Sequence, residues 1–279
     1  MKSAKLYKYL SPQRVDVLQN LKIRFTQVSA LNDPFESLPG ATLESVDWYR
    51  NHFQQRVVRE LSDLQAASRA ERRAYERKRN KDFANFLKCY TDQHYLSELS
   101  EKVQRMSNAI GGCLSLTANC TNILMWSHYS LNHTGFVIGF NAEHEFFGDS
   151  VAPVVYSKTR PKVNPFEARH DGILFYTKSD DWSYEEEHRK YIDFVDSEPL
   201  LGGNSFLPYN EKLDGMHTLS KLHLEPIPPE AISCIIVGWK STDSLRTELY
   251  DACKKHSLSS LPIRRARPSL TEYKMEISP

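Results

Sequence analysis

The apolar and polar positions of the chain fall into short strand-like runs at both ends, with a long helical stretch between the first few of them. Leu6-Tyr7-Lys8-Tyr9-Leu10 reads as a strand, and Ser11-Pro12 then opens a helix that runs to about Gln19. Ile23 to Val28 alternates as a second strand and ends in Leu31-Asn32-Asp33-Pro34-Phe35-Glu36, where Asn-Asp-Pro predicts a tight turn. From about Leu43 to Asn108 the period changes to that of long helices, and a helical insertion is expected at about 43–108.

Strands return with Gly111 to Thr117, a glycine-led run without the spaced glycines and lysine of a phosphate loop. Asn122 to Tyr129 then reads as a helix. Phe136-Val137-Ile138-Gly139-Phe140 is apolar on both faces and is expected to lie centrally in a sheet. Further strands are predicted at Val151 to Tyr156, Gly172 to Lys178 and Ala231 to Gly238, the last buried. A helix follows over Ser241 to His256, then a short closing strand at Leu261 to Ile263 and a tail from about 267. Pro199 to Tyr209, with Gly202-Gly203, reads as a loop. With strands outnumbering helices outside the insertion, the prediction is one α+β domain over 1–279, with a central mixed or antiparallel sheet system.

Composition adds bounds. The 279 residues carry 36 Lys+Arg against 35 Asp+Glu, so a basic or acidic surface has to be local. No stretch approaches the roughly 18 apolar residues that span a bilayer, and Met1-Lys2-Ser3-Ala4-Lys5 has no apolar signal region, so a soluble cytoplasmic protein is expected. The five cysteines lack metal-ligand or paired spacing, which predicts reduced thiols and no metal.

The densest chemistry lies in Asp181-Trp182-Ser183-Tyr184-Glu185-Glu186-Glu187-His188-Arg189. Read as a strand, it puts Glu185, Glu187 and Arg189 on one face and Tyr184, Glu186 and His188 on the other. The plain alternative is a solvated edge strand. Other candidates carry their own alternatives. Asn32, Asp33 and Glu36 are a polar clamp or an Asx-turn bonding its own backbone. Trp126 and His128 are satisfied core residues or a stacking plate and a proton-handling group. The run Arg69 to Arg79 is a solvated helix face or a contact for a nucleic-acid backbone.

Four of these motifs, Leu6-Tyr7-Lys8-Tyr9, Asn32-Asp33-Pro34-Phe35-Glu36, Met125-Trp126-Ser127-His128-Tyr129 with Gly135, and Trp182-x-Tyr184-Glu185-x-Glu187-x-Arg189, occur in an order that resembles the bacterial domain-of-unknown-function family twenty-nine seventy-one. The likeness covers about residues 5 to 240 and implies no reaction. A looser likeness is to ADP-ribosyltransferases, through Tyr7-Lys8 on the first strand, Ser115-Leu116-Thr117 on a central one and Glu185-x-Glu187 on a last one. Lys8 stands where that superfamily has Arg or His, and the helical insertion lengthens the usual spacing.

That likeness implies NAD as substrate, an ADP-ribosyltransferase-like fold and a role as a bacterial toxin or phage-defence effector, with a protein or nucleic acid as acceptor. Glu187 would stabilise the oxocarbenium-like charge and Glu185 would orient or deprotonate the acceptor. Tyr7 and Lys8 would hold the dinucleotide, Trp126 or Tyr129 would stack nicotinamide, and Ser115 would buttress Glu187. The competing expectation is a noncatalytic recognition module in which Arg189, Asn32, Asp33 and Glu36 form a buried polar network.

Overall fold

The computed structural model describes residues 5–41, 44–64, 67–163, 172–194 and 223–278. The predicted loop at Pro199 to Tyr209 lies outside the described residues. The chain opens with β1 (Lys5–Leu10), a 3-10 turn at Pro12–Val15, α1 (Asp16–Asn20), β2 (Lys22–Phe25) and β3 (Gly40–Ala41). Three helices follow: α2 (Val46–Asp63), α3 (Arg69–Cys89) and α4 (Gln93–Ile110). Next come β4 (Gly111–Thr117), α5 (Ile123–Tyr129), β5 (Phe136–Asn141), β6 (Val151–Pro153), β7 (Val155–Ser157), β8 (Lys162–Val163), β9 (Thr177–Ser179) and β10 (Glu187–Asp193). The last elements are β11 (His223–Pro226), β12 (Ile232–Val237), α6 (Asp243–Lys255), β13 (Ile263–Pro268) and β14 (Met275–Ser278).

Eight strands form one sheet in the order β14-β13-β12-β5-β1-β4-β10-β6. It is α+β and mixed: β12 and β13 run parallel across the α6 crossover, and the other neighbours are antiparallel. Strand alternation sorts the core onto the two faces. Phe136, Ile138 and Phe140 of β5 join Leu6 and Leu10 of β1, Leu114 and Leu116 of β4, and the buried stripe Leu245, Leu249, Cys253 of α6. Val137 faces the other way, with Tyr9, Ile236, Ala266 and Met275, beneath Met125 and Trp126 of α5. The expected central place of Phe136 to Phe140 follows from this two-sided burial.

Close approach explains one glycine. A Cβ on Gly135 would lie 2.1 Å from the Leu10 carbonyl oxygen, where α5 returns into β5 beside β1.

The expected tail from about 267 is instead a hairpin, since β14 pairs with β13 from Arg265–Ser278 to Pro268–Met275 and buries Met275. Short alternating strands at a chain end carry little periodic signal, and this one is fixed by its partner. The predicted strand Gly172 to Lys178 shrinks to β9, preceded by a turn in which Phe175 N donates to Gly172 O at 2.9 Å.

In α3, Ser68 and Glu71 form a reciprocal capping box, and Phe83 and Phe86 pack against Phe53 and Tyr49 of α2. Arg79 is paired with Glu60, whereas Arg69, Arg73, Arg77 and Lys78 face solvent. Among the described residues no helix is long and apolar enough to cross a membrane. The five cysteines are free thiols, with Cys113, Cys234 and Cys253 buried.

Candidate functional site

β1 and β4 are neighbours in the sheet but pair at one position among the described residues, Tyr7 opposite Thr117. Each is otherwise committed to its outer partner, β1 to β5 along its whole length and β4 to β10 along its own. A cavity of about 100 Å³ lies at this divergence, lined by Tyr7, Lys8, Tyr9, Ser115, Thr117, Met125, Tyr129, Lys178, Glu185, Glu187 and Arg189, with Leu31, Asn32 and Leu116 completing it. Lys8 crosses the gap, its Nζ donating to the Ser115 carbonyl at 2.9 Å.

The carboxylates reach the cavity by a route that the strand reading does not anticipate. Asp180–Glu185 is a 3-10 helix capped by Ser179, whose Oγ accepts from Asp181 N, and Glu186 ends it in the left-handed region at φ 45°. Ser and Asp side chains compete for local backbone donors, so Ser179-Asp180-Asp181 starts a helical turn, and the strand begins only at Glu187. The left-handed residue turns Glu186 outward, where Asn119 Nδ2 donates to its carboxylate at 2.8 Å. Glu185 and Glu187 on either side of it both point inward. The expected inward set is buried, Glu185 at 3%, Glu187 at 4% and Arg189 at 1% exposure, although one of its members sits on a turn.

These groups form one network. Arg189 grips Glu187 bidentately, Nε to Oε1 at 2.8 Å and Nη2 to Oε2 at 3.0 Å, and its Nη1 donates to Glu36 Oε1 at 2.5 Å and to the Phe175 carbonyl at 2.7 Å. Lys178 Nζ bridges the two glutamates, donating to Glu185 Oε2 at 2.6 Å and Glu187 Oε2 at 3.2 Å, with the Trp182 ring 4.8 Å away. Tyr129 OH donates to Glu185 Oε1 and accepts from Asn32 Nδ2 at 2.7 Å. Glu187 N donates to Tyr156 OH at 2.7 Å. Asn122 caps α5 and donates from Nδ2 to the Tyr184 carbonyl at 3.0 Å, which ties α5 to the 3-10 turn.

The electrostatics follow from this pairing. Burial alone would raise the Glu187 carboxyl, but Arg189, Lys178 and the Ser115 hydroxyl outweigh it and hold the group at about 2. Burial raises Glu36 despite Arg189, and one of its carboxylate oxygens has no hydrogen-bond partner among the described residues. Lys178 is buried, yet Glu187 and Glu185 lift it above an ordinary lysine, whereas burial pulls Lys8 below one. Burial and then Glu185 raise Tyr129, so it stays a protonated donor.

Because the folded Glu187 lies below its unfolded value near 4.3, its stabilising effect is complete above about pH 5 and is lost as the pH falls towards 2. Urea midpoints measured from pH 6 to pH 2 are expected to fall more steeply for the wild type than for Glu187→Gln. Parallel curves would contradict this account.

The other nominated residues divide. Tyr7, Lys8, Ser115, Tyr129, Asn32 and Arg189 border the cavity with the two glutamates, and Glu36 stands behind Arg189. Trp126 does not line it: fully buried, it donates from Nε1 to the Cys120 carbonyl at 2.9 Å and meets Tyr9 edge to face, so Tyr129 is the aromatic ring of α5 at the site. Asp33 takes its plain alternative, an Asx-turn with Oδ1 accepting from Phe35 N at 2.8 Å. His128 is exposed and contacts the Tyr184 hydroxyl through Nδ1 at 3.1 Å. Sequence reasoning missed Lys178 and Tyr156. A lysine closing the apolar run Ile173-Leu174-Phe175-Tyr176-Thr177 was a usable signal for the first, and the second had none. Among the described residues no group of three or more His, Cys, Asp or Glu side chains is placed to hold a metal.

No curated protein and no solved structure matches the chain. The stretch 125–190, which carries the α5 motif, Gly135 and the Trp182 to Arg189 motif, matches the family described as Protein of unknown function (DUF2971), and it is to that family that this part of the chain is similar.

Proposed function

We propose that the chain is an NAD-consuming, ADP-ribosyltransferase-like enzyme of the cytoplasm whose cavity takes the nicotinamide-ribose end of the dinucleotide. The observation that carries this reading is the convergence of Tyr7, Lys8, Ser115, Tyr129, Glu185 and Glu187, from four separate stretches of chain, on one cavity. The cavity, about 100 Å³, is smaller than the roughly 300–1,000 Å³ that encloses a whole drug-sized ligand, so only part of the dinucleotide would enter it. In the proposed step the C1′–N bond to nicotinamide breaks and its electron pair leaves with nicotinamide. The ribosyl cation then takes the oxygen or nitrogen of water or of a protein or nucleic-acid acceptor, which gives up a proton. Glu187, ionised at neutral pH, supplies the negative charge that stabilises the cation. Glu185 holds Tyr129 and Lys178 in place. Such chemistry suits a bacterial toxin or phage-defence effector.

A second reading is favoured by one observation. Both carboxylate oxygens of Glu185 and of Glu187 already accept from Tyr129, Lys178 or Arg189, which is what a noncatalytic recognition module with a rigid polar floor requires. Nicotinamide release from NAD by the purified chain separates the two. The enzyme reading expects release that drops by about 10²–10³-fold in Glu187→Gln, the scale of losing one electrostatic stabiliser. Absence of release by the wild type, or equal release by both proteins, ends it.

A further inference from the structure

A second and larger cavity, of about 590 Å³, shares α5 as a wall with the first: Met125 and Tyr129 border the smaller one, Ile123 the larger. Its size lies within the range of roughly 300–1,000 Å³ that encloses small ligands. Trp239, Leu270 and Tyr273 stand around it, 45%, 99% and 102% exposed. Single exposed apolar side chains are ordinary, but three gathered at one cavity mark a contact surface. Leu270 and Tyr273 are presented by a fixed loop between β13 and β14. Ser269 N donates to Lys274 O at 2.9 Å, Lys274 N to Glu272 O at 2.9 Å, and Ser269 Oγ to Glu276 at 2.6 Å.

The opposite wall is also held, and under strain. Leu131, Asn132 and His133 are consecutive residues at φ 51°, 53° and 68°, a left-handed turn that side chains rarely adopt. Asn132 N and His133 N donate back to Ser127 O and Trp126 O at 3.1 Å, and Lys240 N donates to His133 O at 2.9 Å. The strained turn thereby fixes the backbone beside Trp239 and Lys240.

The charge of the cavity resolves to one cation. Glu272 is neutralised by Lys274. Burial and then Lys240 push His133 below its ordinary value, so it is neutral at neutral pH. Lys240 is exposed and has no ion-pair partner among the described residues.

We propose that this cavity binds a nucleotide unit, its base stacked on Trp239 and Tyr273 and its phosphate met by Lys240. Aromatic faces accept any base, and a lone ammonium beside them supplies the anion contact that an apolar groove for a peptide lacks. The site rests on its own residues and is independent of NAD cleavage in the first cavity.

The test is binding of adenosine monophosphate and of a fluorescein-labelled oligoadenylate to the full chain, by calorimetry and anisotropy. Trp239→Ala and Tyr273→Ala are each expected to weaken binding by about tenfold, and Tyr273→Ala to do so without changing the Tm, because that side chain is fully exposed. Lys240→Glu is expected to weaken it and to flatten its salt dependence by about one unit of slope. Equal affinity for both probes assigns a free nucleotide, and preference for the oligoadenylate assigns single-stranded nucleic acid. Binding of neither probe, or binding indifferent to Trp239→Ala, overturns the proposal. So does binding that Tyr129→Phe weakens and Trp239→Ala does not, since the ligand then occupies the first cavity.

Discussion

Arg189→Ala is expected to lower the unfolding free energy by about 3–5 kcal/mol, the cost of removing one partner from a buried charge pair. Arg189 is 1% exposed and joins Glu187 to Glu36, so its loss leaves Glu36 without a cation and Glu187 with Lys178 alone. Both carboxylates are buried, at 2% and 4% exposure. Arg189→Lys is expected to recover little, because an ammonium cannot offer the fork that holds Glu187 bidentately while also reaching Glu36. Urea denaturation at pH 7 measures both effects. A loss below about 1 kcal/mol, the scale of an exposed ion pair, would show that the network is solvated.

Trp126→Ala is expected to cost a similar amount, about 3–5 kcal/mol, by a different mechanism. The ring fills the space between α5 and the sheet, in contact with Tyr9 and stacked parallel to His133, and its loss opens a void where the backbone of α5 cannot follow. It also leaves the Cys120 carbonyl without its donor. Trp126→Phe is expected to lose less, since it keeps part of the volume and gives up the hydrogen bond. Should Trp126→Ala unfold at the wild-type midpoint, the helix would have to rest on contacts other than this one.

The strands that can be read from sequence are those with burial on both faces. Phe136 to Phe140 and Ala231 to Gly238 have no polar face to mislead, and both lie inside the sheet. Misreadings cluster where a side chain competes with the backbone or where a partner decides the outcome. Ser179 and Asp181 turn the first half of the carboxylate stretch into a helix, and β14 exists because β13 is beside it. The inward set Glu185, Glu187 and Arg189 was nevertheless legible, because a single left-handed residue preserves the alternation across the break. Lys178 is marked in sequence only as a lysine closing an apolar run, and its place between the two glutamates was not legible, because it comes from a strand of three residues whose pairing with β7 is fixed by distant chain. Trp126 shows the reverse difficulty: a large aromatic beside polar neighbours looks the same in sequence whether it plates a ligand or fills a core.

The single pairing between β1 and β4 has a mechanical consequence. The sheet is two stiff blades, five strands on one side and three on the other, sewn together among the described residues by one rung, the Lys8 contact to Ser115 and the Tyr9 hydroxyl on the Asn119 carbonyl. Backbone bonds across that seam are the fewest in the sheet, so local opening costs least there. Anything gripped by Lys8 on one blade and Glu187 on the other acts as a stitch, and occupancy of the cavity becomes stiffness of the whole sheet.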